Sequence, residues 1–260
     1  MKTSDMNTTM KQGDFTGLAK DYAMSRPDYS STVLRVLLSH AGAQNVLDVG
    51  AGTGIWTRML AEAGLECQAV EPCESMREEG KAHTADYEVS WRAGSAEETG
   101  LENGAVDWVT MASSFHWTDS EKSLPEFHRV LKPGGSLTVL WNPRNIAGHT
   151  LHEEIEQLIH DTVPDLKRVS SGSSKHTSDW QEVLVSTGHF KDVIFVEANH
   201  EIAMSKGRYL QAWRSVNDIQ AQAGQELFDV ILDSIEGKID HLDKVVVPYK
   251  TRAWTARAQC

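Results

Sequence analysis

An α/β fold built round a parallel sheet is what this sequence predicts, and three observations carry the prediction. Short β-branched runs alternate with helical runs between residues 31 and 142, which is the rhythm of βαβ units. Runs such as "AVDWVTMA" and "LTVLW" are apolar almost throughout, as strands covered on both faces are. A glycine turn, "GAGTG" at 50–54, stands between the first strand and the helix after it, where the backbone must reverse tightly.

The elements follow in order. "STVLRVLLSHAG" (31–42) has apolar residues at helical spacing and stops at a glycine. "NVLDVG" (45–50) is a short strand, "IWTRMLAEAG" (55–64) a helix, and "ECQAVEP" (66–72) a strand stopped by Pro72. "ESMREEGKAH" (74–83) is a charged helix, and "YEVSWRAG" (87–94) and "GAVDWVTMAS" (104–113) are strands. "SEKSLPEFHRVLKPGG" (120–135) reads as a helix punctuated by Lys132-Pro133-Gly134-Gly135, and "SLTVLWN" (136–142) as the fifth strand.

Beyond Trp141 the rhythm changes. Residues 151–163 are helical, 164–178 form a polar, Ser-rich loop, and 179–188 are helical again. A long strand spans 190–203, and two helical stretches span 206–222 and 225–239. "KVVVPYKTRAWTARA" (244–258) alternates as a strand does, and its Pro248 predicts an edge position or a bulge. The expected organisation is an N-terminal lid and first helix (1–43), a core (44–142) and a helical insertion and cap (143–189). A sixth strand (190–204), a second piece of cap (205–243) and a final strand and tail (244–260) complete it.

Composition narrows the function classes. In 260 residues, 40% hydrophobic and 24% charged content is ordinary for a globular chain with a sizeable core. A formal net charge of −12 argues against tracking a nucleic-acid backbone, which needs a basic stripe. Three cysteines, Cys67, Cys73 and Cys260, make no framework and no CxxC, which predicts a reducing, cytoplasmic setting. No apolar run reaches the roughly 18 residues of a membrane span. The polar start "MKTSDMNTTMKQGDF" lacks the apolar stretch of a signal peptide.

The chemistry begins at "VLDVGAGTG" (46–54). Glycine lets a turn approach a ligand closely, and the following helix presents free N–H groups. Asp48, at the strand end, is placed to orient that turn or to receive a cationic amine. Glu71 closes the second strand, where a carboxylate takes the two hydroxyls of a ribose. The bland alternative is a solvated strand end.

"VLDVGAGTG", Glu71-Pro72, "AGSAEETGL" (93–101), "VDWVTMASSFHW" and "FHRVLKPGGSLTVLW" together resemble the signature stretches of a class I S-adenosylmethionine-dependent methyltransferase. "YAMSRPDY" (22–29) and the final strand resemble the trans-aconitate methyltransferase-like, type 11, branch, which acts on small molecules. The resemblance implies a Rossmann-like, seven-stranded, mostly parallel sheet with its last strand antiparallel, and a helical cap. It implies that Gly50, Ala51 and Gly52, with Gly54 beyond, pass under the methionine part of the cofactor. It implies that Glu71 holds the ribose with Pro72 among the cofactor-binding residues, that Ser95, Ala96 and Glu97 border the adenine, and that Met76 packs on its ring. Ser113 is expected near the cofactor's amino-acid end, and Tyr22 and Arg26 in a lid, with Arg26 pairing the cofactor carboxylate.

Other classes fit less well. A nicotinamide oxidoreductase needs GxGxxG, whereas the glycines here are GxGxG, and no tyrosine has a lysine four residues on. A binding or regulatory protein that keeps the fold without catalysis is a separate possibility. His149 and His152 share a helix face without further ligands, and are expected to be solvated, so no metal is predicted. "SSGSSK" (170–175) lacks the strand, helix and Gly-Lys ending of a phosphate cradle, and is expected to be a loop.

The acceptor side is expected beyond the fourth and fifth strands, because ligands of open α/β sheets bind past the carboxyl ends of strands. "SSFHWTD" (113–119) puts Phe115, His116 and Trp117 there. His116 is the candidate base, since imidazole titrates near neutrality; its alternative is local packing or capping near Asp119. Trp141, Asn142, Arg144 and Trp213 are further candidates to line the site, with Arg144 suited to an acidic substrate. The expected reaction is methyl transfer to a small organic acceptor, first an oxygen nucleophile (carboxylate or hydroxyl), with nitrogen, sulfur and carbon open. The expected product is S-adenosylhomocysteine, and the expected assembly a monomer or homodimer without nucleic-acid or membrane partners.

Overall fold

A computed structural model describes residues 23, 25–167 and 179–259. Tyr22 and the "SSGSSK" stretch lie outside the described residues. The elements are α1 (Ser31–Ala41), β1 (Asn45–Val49), α2 (Ile55–Glu62), β2 (Glu66–Val70), α3 (Glu74–His83), β3 (Val89–Arg92) and β4 (Val106–Ala112). A 3-10 turn (Phe115–Trp117) follows, then α4 (Ser120–Val130), β5 (Leu131–Trp141), α5 (Thr150–Thr162), α6 (Trp180–Val185), β6 (Phe190–Met204), α7 (Lys206–Arg214), α8 (Asn217–Ile239) and β7 (Val245–Ala258). No helix among the described residues is long and apolar enough to cross a membrane.

One seven-stranded sheet runs β3-β2-β1-β4-β5-β7-β6. β1 to β5 pair in parallel, and β7 lies antiparallel to both β5 and β6. The chain therefore walks outward from β1 in one direction, returns, and walks outward from β4 in the other. That reversal leaves a crevice at the carboxyl ends of β1 and β4, where open sheets bind ligands.

Alternation sorts the strands between two faces. Leu47, Val49, Val109 and Met111 join Leu124 and Phe127 of α4 and Leu184 of α6. Val46 and Trp108 face the other way, with Leu37 of α1 and Trp56 and Leu60 of α2. Asp48, Thr110, Thr138 and Thr255 are direct partners across β1, β4, β5 and β7, and all four are buried. They form a polar row through the second face, satisfied from within: Thr110 donates to Asp48 at 3.0 Å, and Thr138 donates to Thr255 at 2.8 Å while accepting from the Trp108 indole at 2.9 Å. A third core joins α5, α7 and α8 to the projecting ends of β6 and β7, with Met204, Val245 and Val247 beneath Ile155, Trp213 and Ile231.

Four expectations need correction. The helix from Ser120 ends at Val130, and Leu131 to Gly135 already belong to β5. Leu131 is extended, and Lys132 precedes a proline, which disfavours helix. The Lys-Pro-Gly-Gly stretch is the irregularity where the β4–β5 register shifts between Val106 and Trp108. Second, β7 is an interior strand. Pro248 is tolerated because it lies past the end of β5, which pairs only with Arg252 to Arg257. Its carbonyl accepts from Asn145 N at 2.9 Å, so the N–H it lacks would have pointed the same way, off the β6 ladder. Third, the helical stretch from 206 breaks first at Ser215–Val216, and Gly224 (φ 74°, ψ 166°) interrupts α8 where a break was expected. Fourth, His152 is buried, 4% exposed, because α5 packs this face on β7. Its Nε2 donates to Val246 O at 2.9 Å, so Nδ1 accepts from the Tyr209 hydroxyl at 3.2 Å. Burial lowers its pKa.

Candidate active site

The glycine turn lies at the crevice. Gly50 has φ 62°, and a Cβ there would come within 2.8 Å of Ser114, so β1 and the segment after β4 approach as only glycine allows. A Cβ on Gly52 would meet Met76 Cε at 3.6 Å, which brings Met76 against the turn. Gly54 serves a different purpose: it faces Gly80 and Trp91 and lets α2, α3 and β3 pack closely.

Glu71 is tied to that turn. One carboxylate oxygen accepts from Gly52 N and the other from Cys73 N, both at 2.9 Å. Burial raises its pKa, against the pull of those two N–H groups and Arg77. Pro72 is exposed beside it. Ser95 Oγ accepts from the N–H groups of Glu97 and Glu98, and Ala96 is buried. The Glu97 carboxylate accepts from Asp119 N at 3.0 Å. It therefore links this loop to the start of α4.

Asp48 lies beneath the turn rather than on its surface. It is 0% exposed, and its oxygens accept from Thr57 (2.6 Å) and Thr110 (3.0 Å). Burial pushes its carboxyl up to about 7, although both hydroxyls oppose the shift. Its part in the turn is thus to hold α2 and β4 against β1.

The end of β4 is conformationally unusual. Ser113 has φ 57°, a left-handed conformation that a residue with a Cβ adopts at a cost. Its Oγ shares a 2.9 Å hydrogen bond with the Tyr29 hydroxyl, and Tyr29 packs edge-on against Trp56. The N-terminal segment continues across the strand ends. Asp28 O accepts from Asn142 Nδ2 (3.1 Å) and His200 Nε2 (3.2 Å), and its carboxylate pairs with Arg58. Asn142 also accepts from Thr251, so it braces this segment. Arg26 reaches away from the glycine turn: Nε donates to Ser215 Oγ and Nη2 to Ser215 O, at the α7–α8 joint.

The aromatic run separates. Phe115 is 2% exposed and packs against Phe127 and Trp180, so it belongs to the core and not to the mouth. Phe127 belongs to α4 and Trp180 to α6, so both helices pack on it. Trp117 is 47% exposed, and its ring lies 4.7 Å from that of His116. The Trp141 indole donates to His116 Nδ1 at 3.2 Å and stacks on Trp180 at 4.6 Å. Capping near Asp119 is done by Asp119 itself, which accepts from Glu121 N.

Arg144 and Trp213 meet in the helical layer. The guanidinium lies 3.9 Å from the Trp213 ring centroid and 4.0 Å from Glu156, with Tyr249 and Tyr209 near. Burial opposes its charge, yet those phenols and Glu156 raise its pKa. Trp213 is 2% exposed and acts as the floor for that cation. Among the described residues no group of three or more His, Cys, Asp or Glu side chains is placed to hold a metal.

Tyr29, Ser114 and Thr57 were missed as site-building residues. Tyr29 closes the quoted "YAMSRPDY" stretch, which is the one signal it had; Ser114 and Thr57 are ordinary until the strands are brought together.

Comparison with known proteins agrees with this geometry. A methyltransferase-domain family model matches residues 47–139. A chain from Anaeromyxobacter dehalogenans, named provisionally as a type II methyltransferase, superposes with TM-score 0.64 at 20% identity, covering 90% of this chain and 98% of that one. A Haemonchus contortus phosphoethanolamine N-methyltransferase 2 in complex with S-adenosyl-L-methionine superposes with TM-score 0.54 at 17% identity, covering 95% and 58%. An uncharacterized methyltransferase of Mycobacterium tuberculosis is 36% identical over 168 residues, 63% of this chain and 68% of that protein. Those two structural likenesses speak to fold alone, whereas the last is kinship: this chain belongs to the class I S-adenosylmethionine-dependent methyltransferases.

Proposed function

We propose that the chain transfers a methyl group from S-adenosylmethionine to a small organic acceptor held beyond β4 and β5, with an oxygen nucleophile, carboxylate or hydroxyl, as the favoured acceptor. The observation that carries this reading is the bond between Gly52 N–H and the Glu71 carboxylate across the glycine turn. It holds the turn and the ribose-binding carboxylate as one unit.

The residues present fit the cofactor. The turn presents no side chain at Gly50 and Gly52, and a Cβ at either would meet Ser114 or Met76. Each Glu71 oxygen accepts one N–H and keeps a lone pair for a ribose hydroxyl. Met76 and Ala96, both buried and apolar, suit an adenine face, with Ser95 and Glu97 at its border. When bound, S-adenosylmethionine supplies an electrophilic methyl on a sulfonium, a cation at ease against aromatic faces.

The protein's share is alignment and exclusion of water. Residues 26–30 lie across the strand ends, pinned through Asp28 and Tyr29, which favours a covered site. His116, Trp117 and Trp141 border the acceptor side, and Arg144 stands in the cap as a cation for an acidic acceptor.

Titration calorimetry with S-adenosylmethionine, S-adenosylhomocysteine and NADH tests the cofactor assignment. Glu71→Ala is expected to weaken binding of the first two by about 1.5–3 kcal/mol, roughly ten- to hundredfold. Unaltered affinity removes the ribose role. A metabolite screen with methyl-labelled cofactor then identifies the acceptor, and binding without any labelled product favours a regulatory protein.

A further inference from the structure

We propose that Arg26 is a positioning residue that serves the cofactor through the cap: its clasp on Ser215 ties the α7–α8 joint to residues 26–30, so that the cap sets how fast the cofactor leaves. This coupling rests on the S-adenosylmethionine reading of the glycine turn and adds a control of that site from a distance.

The clasp is made at a buried point. Ser215 is 0% exposed and stands between α7 and α8. Its hydroxyl donates to Ala212 O at 2.7 Å and so keeps a lone pair for Arg26 Nε at 3.0 Å. Ser215 O accepts from Arg26 Nη2 at 3.2 Å. Two donors in a fixed fork on one residue suit a guanidinium as no ammonium could. A return bond comes from α7, where Arg208 Nη2 donates to Arg26 O at 3.2 Å. The cap therefore holds Arg26 by side chain and backbone alike. Trp213, two residues before Ser215, carries the Arg144 guanidinium, so the gripped joint belongs to the same layer.

A stiff link follows. Pro27 is buried, its φ is fixed by its ring, and it restricts the residue before it. A shift at Arg26 is thus passed on to Asp28 and Tyr29.

Those two residues lead to the glycine turn by separate routes. The Asp28 carboxylate pairs with Arg58 of α2, the helix that leaves the turn. Arg58 Nε donates to His83 Nε2 at 3.2 Å, and His83 Nδ1 bonds Thr53 O of the turn at 3.1 Å. The Tyr29 hydroxyl meets Ser113 Oγ at 2.9 Å, and the next residue, Ser114, abuts Gly50. A segment pinned at both ends pays little ordering entropy when the cofactor binds, and freeing Arg26 restores that cost.

Calorimetry and stopped-flow release of S-adenosylmethionine and S-adenosylhomocysteine test this on the full chain. Ser215→Ala and Arg26→Gln are each expected to speed release roughly three- to tenfold, the effect of about one hydrogen bond. The double variant should fall short of the product of the two single effects, because both break one clasp. Lys238→Ala, which removes an exposed cap ion pair with Glu154 away from the clasp, should leave release unchanged. Unaltered release in both single variants overturns the proposal. So does a double variant that multiplies the single effects, since Arg26 then acts by another route, such as a direct bond to the cofactor carboxylate. Equal acceleration in Lys238→Ala also overturns it, by showing that any loosening of the cap suffices. A wild-type chain that binds neither ligand overturns the cofactor reading and the coupling together, whereas binding with unchanged release overturns the coupling alone.

Discussion

The cofactor half and the capped half of this molecule are built differently. The bonds that tie the glycine turn to the end of β2 and β1 to α2 join residues close in the chain: Gly52 and Glu71 are 19 residues apart, and Asp48 and Thr57 are 9. In the capped half they are distant: His152 and Val246 are 94 residues apart, and Arg26 and Ser215 are 189. The first half binds what every member of the family shares. The second, which would meet the acceptor, is assembled from segments with no local reason to meet. Each half also buries a titratable group, and the two respond to pH in opposite senses.

The sharpest way to break this division is at Phe115, which lies between the halves. As a core residue, Phe115→Ala should cost about 3–5 kcal/mol in urea unfolding. A cost below about 1 kcal/mol would return it to the mouth.

Asp48 comes next. Its folded carboxyl keeps a proton that the unfolded chain releases between its ordinary value of 3.8 and about 7. The stability it contributes is full below that window and is lost as pH rises through it, on the order of a few kcal/mol. Asp48→Asn removes the titration, so the stability difference between variant and wild type should change between pH 5 and pH 7.5. A constant difference refutes the assignment. His152 works the other way: burial holds its pKa below 6.5, so its contribution is lost as pH falls below that value. Local hydrogen exchange in α5 should therefore rise on acidification, and His152→Gln should remove that rise.

Gly80→Ala probes close packing behind the turn. A Cβ there would lie 2.2 Å from Trp91, and overpacking of this kind costs about 1–3 kcal/mol. Thermal unfolding without a shift would show that Trp91 moves aside freely.

The smallest effect is expected at Tyr29→Phe. It removes the bond to Ser113 and should cost about 0.5–1.5 kcal/mol of stability. If the segment across the strand ends covers the cofactor, the same variant also speeds cofactor release in stopped-flow traces. An unchanged release rate would confine Tyr29 to a structural part.

Much of the fold was legible. The alternation of strands and helices and the two glycine-ended helices depend on neighbours within a few positions, and they reappear with small shifts in their limits. The misreadings share a cause. Lys132 to Gly135 look like the end of a helix, but they are drawn into a bulge beside β4. Pro248 looks like an edge signal, but β7 is interior and merely outruns β5. His152 looks solvated until β7 covers it.

The site divides in the same way. Residue order alone settles the turn at 50–54, Glu71 at the end of the second strand and the titratable aromatic exit after the fourth. Glycine spacing, strand ends and helix starts are local backbone facts. Tertiary contact alone settles that Asp48 supports the turn from below, that Phe115 leaves its neighbours for the core and that Arg144 rests on Trp213. It also settles which ring nitrogen of His116 meets Trp141, because an indole 25 residues away is brought to 3.2 Å of Nδ1 by the pairing of β4 with β5. Burial and hydrogen-bond partners belong to the packed chain, and no window of sequence contains them.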